Sequence, residues 1–103
     1  MNYTLHFLPE VEDDGVAAYT WYEKNVPGLG DEFLRTFYTA AEKLVGNPFL
    51  YPTLHLKFRR RLLPRFPYAM YYLIEGTEII VLGLFHCARD PHGIQTTLQN
   101  RNT

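Results

Sequence analysis

The chain has 103 residues, 47% of them apolar, with 10 Lys plus Arg against 11 Asp plus Glu and a single Cys. That length fits one domain and excludes a two-domain enzyme, yet it is enough to bury a core without disulfides or a structural metal. Cys87 has no partner for an internal bridge, and the spaced Cys and His sets of zinc sites are missing. A reducing compartment is therefore expected. Met1 to Phe7 has neither the basic nor the long apolar part of a secretory signal, and no apolar run approaches the ~20 residues of a membrane span. The expected location is the cytoplasm, with no membrane contact. A net charge of −1 argues at first against a strongly anionic partner.

The charge is nevertheless segregated. Residues 1–50 hold eight acids and three bases, a sum of −5, whereas residues 51–103 hold seven bases and three acids, a sum of +4. Five of those seven bases, Lys57, Arg59, Arg60, Arg61 and Arg65, fall within nine residues. No repeat, low-complexity tract or linker divides the halves, so one domain with an acidic and a basic part is expected.

In chain order, Tyr3 to Phe7 reads as a short strand, with Tyr3, Leu5 and Phe7 on one face. Pro9 suits the first turn of a helix; Leu8 before it offers no capping side chain, a loss of about 1 kcal/mol. Val11, Gly15, Ala18 or Tyr19, Tyr22 and Val26 recur at helical spacing, and acids at residues 12–14 meet the helix dipole. This helix ends near Asn25. Pro27-Gly28-Leu29-Gly30 is a tight connector to a second helix, which carries Phe33, Leu34, Phe37, Ala40, Ala41 and Leu44 on one stripe and is stopped by Gly46-Asn47-Pro48. So short a connector implies an antiparallel helical hairpin. A loop from Pro48 to Leu56 precedes three strands, Phe58 to Leu63, Tyr68 to Glu75 and Glu78 to Cys87, the last two joined by Gly76-Thr77 in a type II′ turn. The expected fold is α+β, ordered β-α-α-β-β-β, with the hairpin packed on one face of a small, mostly antiparallel sheet. The domain is expected to span residues 1–92, with 93–103 a polar tail lacking a clear apolar period.

The last two strands are apolar on both faces, and the hairpin can cover only one. Either the chain after Pro91 or another protein chain is needed on the second, unless Tyr hydroxyls and the Pro48–Leu56 loop make it tolerable.

The ordered set Trp21-Tyr22-Glu23, Pro27-Gly28-Leu29-Gly30, Asn47-Pro48 and Tyr51-Pro52 resembles the RelE/ParE toxin superfamily of bacterial type II toxin–antitoxin modules. Arg60-Arg61-Leu62-Leu63, then Arg65-Phe66-Pro67-Tyr68 with Tyr71-Tyr72, and His86 with Arg89-Asp90-Pro91, are closer to its ParE-like branch. The resemblance spans roughly residues 3–92. It implies a small toxin held inactive in a hetero-oligomer by a cognate antitoxin, whose extended or helical segment wraps it. ParE-type members act by binding, with DNA gyrase as target; RelE-type members cut mRNA on the ribosome without a metal. A third possibility is a non-toxic relative kept as an interaction or autoregulatory module.

Metal-free RNA cleavage needs a base, an acid and cations for the crowded phosphate charge. Under that reading Arg61, Arg65, His86 and Arg89 are the catalytic candidates, so whether the chain is an enzyme stays open. Against it, the Pro67–Tyr71 stretch has no Arg where RelE-type ribonucleases tend to carry one. Under the binding reading the partner-facing set is Arg59, Arg60, Arg61, Arg65, Tyr71 and Arg89. The Arg run has a bland account as well, since charges on an edge strand discourage aggregation. His86 shares strand parity with Ile80, Leu82 and Leu84 and is expected at the edge of the core. Cys87 is expected to be small and buried, and Trp21 and Tyr22 to be core, with base stacking the minor alternative. Arg89 and Asp90 are expected to form a local ion pair. His6 with the nearby acids hints at a metal, but a helix start explains those acids; neither cofactor nor metal is expected.

Overall fold

A computed structural model describes residues 2–103. The elements run β1 (Thr4–Phe7), α1 (Pro9–Asn25), α2 (Leu29–Lys43), β2 (Thr53–His55), β3 (Phe58–Leu62), β4 (Tyr68–Glu75), β5 (Glu78–His86) and α3 (Pro91–Arg101). Met1, part of the stretch read for a signal, lies outside the described residues. Among the described residues no helix is long and apolar enough to cross a membrane.

The helical hairpin forms as its spacing requires. On α1, Val11, Gly15, Ala18 and Tyr22 are buried; Leu8 gives no side-chain cap, and Pro stands in the first turn. At the start of α2, whose first N–H groups have no helical partner, Glu23 reaches across from α1 to accept from Gly28 N (2.9 Å) and Gly30 N (3.0 Å). Gly30 is where the helices touch: a Cβ there would lie 2.8 Å from the Tyr19 carbonyl oxygen. Two residues depart from the expected stripe. Trp21 is 61% exposed and Val26 is also exposed; Trp21 sits one position off the Val11–Tyr22 stripe and stands in solvent beside the buried Tyr22.

The strands make one five-stranded sheet in the order β1-β5-β4-β3-β2. β1 runs parallel to β5, and the other neighbours are antiparallel. Gly76 begins the β4–β5 turn at φ +60°, while Thr77 stays out of the positive-φ region, the pattern of a II′ turn. β2, three residues inside the expected loop, is an addition to the expected order.

Most of the polar stretch 93–103 lies in α3. Asp90 accepts from His92 N (3.4 Å) and Gly93 N (3.2 Å), capping a helix with Pro in its first turn. Asp90 is therefore a cap, rather than the expected ion partner of Arg89. α3 lays Ile94 and Leu98 on Phe58, Ala69, Tyr71, Leu73, Leu82 and Phe85. The sheet is thus covered on both faces: the hairpin packs on Met70, Tyr72, Ile79, Val81 and Leu84, and α3 on the opposite side.

A bulge sets which β5 residues face which layer. Tyr71 pairs with Gly83 but Tyr72 pairs with Val81, so Leu82 is the extra residue. Ile80 and Leu82 face α3, whereas Leu84 faces the hairpin. The expected shared parity of His86 with all three is broken there, and His86 follows Leu84 to the hairpin side, exposed opposite Tyr68. Cys87, just beyond, is exposed rather than buried.

Candidate partner interface

The arginine run divides by strand parity. Phe58 points to the α3 layer, so Arg60 and Leu62 share that face, and Arg59 and Arg61 take the other. Arg59 donates to the Tyr51 carbonyl (2.6 Å) and lies over the Phe49 ring at 5.0 Å. Arg61 donates to the Ala40 carbonyl (2.7 Å) and lies over Tyr51 at 5.2 Å. Ala40 is in the last turn of α2, where carbonyls lack helical partners and a cation is favoured. These two cations hold the 48–52 segment and the helix end against the sheet. Tyr72 completes the arrangement from below, donating to the Pro48 carbonyl at 2.7 Å. Burial, partly offset by Arg59, pushes the Tyr72 phenol up to about 12.

Arg60 is exposed and, among the described side-chain hydrogen bonds and ion pairs, has none. Arg65, in the β3–β4 turn at φ +69°, pairs with Glu32 at 3.0 Å. Those side chains are 65% and 45% exposed, so the pair is worth under ~1 kcal/mol. Arg89 stacks over Phe85 at 4.4 Å and donates to Thr97 at 3.4 Å. Tyr71, expected to face a partner, is 4% exposed and packs in the α3 layer.

His86 accepts at Nδ1 from Ala88 N (2.9 Å), which leaves Nε2 as its protonated nitrogen when neutral. Its ring meets Tyr68 edge-on at 5.1 Å, and with Trp21, Tyr22 and Pro67 it lines a concavity at the hairpin end. Burial raises the phenol pKa values of Tyr22 and Tyr68.

The four candidates for RNA cleavage each have a separate partner, and Arg89 lies on the sheet face opposite that of Arg61 and His86. Arg61 lies under α2, Arg65 against Glu32, His86 beside Trp21, and Arg89 on the α3 face. Arg60, Tyr71 and Arg89, in contrast, come together: with Phe58 and Ile94 they line one pocket between β3 and α3. Among the described residues no cluster of three His, Cys, Asp or Glu side chains could hold a metal; His6 instead faces Glu78 at 3.0 Å.

Sequence reasoning missed two features. Large apolar side chains, Phe49, Leu50, Leu54, Leu56 and Leu62, crowd the β2–β3 side and are exposed. The signal was available for Leu62, which shares the parity of Arg60. The second is Asp14, whose carboxylate accepts from Arg101 at 2.6 and 3.0 Å and from Leu84 N at 3.1 Å, while Arg101 also donates to the Leu82 carbonyl at 2.9 Å. The bond that Arg101 donates to Asp14 raises its pKa against the opposite pull of burial. Nothing local in the sequence links positions 14 and 101.

The chain superposes on a chain from the chromosomal ParDE TA system of P. aeruginosa with a TM-score of 0.74 and 19% identity, covering 82% of this chain and 95% of that one. The two share a fold. No family model and no curated protein matches the chain. The fold is the α+β one expected, with β2 and α3 in addition to the expected element order.

Proposed function

We propose that this chain is the toxin of a type II toxin–antitoxin module, ParE-like, neutralised in a hetero-oligomer by a cognate antitoxin. In this reading it acts in the cytoplasm by binding, with DNA gyrase as target. The observation that carries the reading is the fold shared with a chain of a ParDE system, joined to the ordered motifs from Trp21 to Pro91. That Arg61 is taken by the Ala40 carbonyl and Arg65 by Glu32, and that Arg89 is stacked on Phe85 in the α3 layer while His86 faces the hairpin side, favours binding over ribosome-dependent mRNA cleavage, because proton transfer and phosphate stabilisation need convergent groups.

The test is expression of the chain alone and together with the protein of the adjacent open reading frame. Growth arrest that co-expression relieves, with inhibition of purified gyrase in a supercoiling assay, supports the proposal. Arrest with specific mRNA cuts that vanish on His86→Ala replaces it with the endoribonuclease reading. Normal growth leaves a non-toxic interaction module.

A further inference from the structure

β3 has an overhang. β2 stops opposite Arg59, and Pro52 before it has no N–H with which to continue the ladder. Arg60 to Leu62 thus have β4 on one side and, among the described residues, no strand on the other. Leu63 N donates to the Tyr68 carbonyl at 2.9 Å, so by antiparallel alternation the main-chain groups of Leu62 point to the open side. An unpaired strand edge recognises an extended segment through its backbone, and neighbouring pockets read alternate side chains.

Two concavities flank this edge. One runs between β2 and β3, with Tyr51, Pro52, Leu54 and Leu62 around it. The other is the pocket walled by Phe58, Tyr71 and Ile94, about 60 Å³, the room of a few waters and suited to one aliphatic side chain. Leu54 and Arg60 border both. Leu62, 56% exposed, extends the apolar strip. No carboxylate among the described residues lines either concavity, and Arg60 and Arg89 stand at the pocket.

We propose that Arg60–Leu62 is a docking edge for an extended, acidic and apolar segment of the antitoxin, which continues the row begun by β2. One aliphatic side chain enters the Phe58–Tyr71–Ile94 pocket, and carboxylates pair with Arg60 and Arg89. The identity of the occupant rests on the function proposed above; its chemistry rests on the charge of the edge. A second copy of this chain fits poorly, because edge-to-edge pairing would set Arg59–Arg61 against the same three cations.

The test uses this chain with the purified protein of the adjacent open reading frame. Affinity is measured by calorimetry for the unmodified chain, Arg60→Gln, Leu62→Glu and the distant control Trp21→Ser, with urea curves verifying that each variant folds. Amide hydrogen exchange is followed with and without that protein. The proposal expects about tenfold or greater weakening for the two edge variants, no change for Trp21→Ser, and slowed exchange at Leu62 in the complex. A complex with unchanged affinity for the edge variants, or unchanged exchange at Leu62, overturns the docking edge and leaves the toxin–antitoxin reading standing. Absence of any complex overturns both. A concentration-dependent dimer of the chain alone that Leu62→Glu dissolves assigns the edge to a second copy and overturns the proposal.

Discussion

β3 and β5 both outrun the edge strand beside them, and their overhangs are treated in opposite ways. β1 covers β5 only as far as Val81, with Leu8 N adding one more bond to the Val81 carbonyl. Beyond it the strand edge is closed by side chains: Arg101 takes the Leu82 carbonyl and Asp14 takes Leu84 N. The charged pair is only 15% and 12% exposed, yet each member has its partners. β2 covers β3 only to Arg59, and there, among the described residues, no side chain hydrogen-bonds to the edge; apolar groups and Arg60, which has no ion partner among them, stand around it instead. A strand edge left bare is normally blunted by charge, proline or cover. Internal closure at β5 and openness at β3 therefore separate a place that stabilises the fold from a place available to a partner.

The largest effect is expected where the edge is closed. Asp14→Ala leaves Arg101 and Leu84 N without their acceptor in a nearly buried site, and stability should fall by about 3 kcal/mol in urea denaturation. A double-mutant cycle with Arg101→Ala should show strong coupling, since both act on one network; additive losses would mean that the pair does not close the β5 edge.

A smaller effect concerns the clamp beside the open edge. The phenol of Tyr72 is raised from 10.0 to about 12 in the folded protein, so the folded state keeps a proton that the unfolded chain gives up. Its contribution is fully present below pH 10 and is lost as pH rises toward about 12. The urea midpoint should decline over that window, and the decline should be shallower in Tyr72→Phe, with the remainder due to Tyr22 and Tyr68, whose values burial raises, and to Tyr19, raised chiefly by the nearby Asp31 carboxylate. An equal slope in the variant would remove Tyr72 from the alkaline response.

The smallest effect is expected at the open edge. Leu62→Lys should change the stability of the isolated chain by no more than about 0.5 kcal/mol. A loss comparable to that of Asp14→Ala would show that Leu62 is part of the core and erase the contrast between the two overhangs.

The parts legible in the sequence were those specified locally. The Val11–Tyr22 and Phe33–Leu44 stripes, their Gly-rich connector and the Gly76-Thr77 turn each carry their signal within a few residues. α3 was not legible, because its only buried apolar side chains are Ile94 and Leu98 among Thr, Gln and Asn, and the surface that holds it comes from β3, β4 and β5. The bulge at Leu82 was hidden for a related reason: a run apolar from Ile79 to Phe85 has no phase to read, so the orientation of His86 was lost with it. The cations were visible as a cluster, but their separation into Arg59 and Arg61 as internal clamps and Arg60 as a free group depended on the parity set by Phe58. Convergence of Arg60 with Arg89 needed α3 in place.

The Asp14–Arg101 bond also has a kinetic side. It spans 87 positions, and the parallel β1–β5 pairing likewise joins Thr4–Phe7 to Glu78–Val81. Closing such long loops is slow compared with forming the α1–α2 hairpin or the β4–β5 turn. Folding should thus end with both chain termini settling around β5 together. Until they do, Leu82 and Phe85 lack the cover of α3, and the molecule passes through its most adhesive state just before completion.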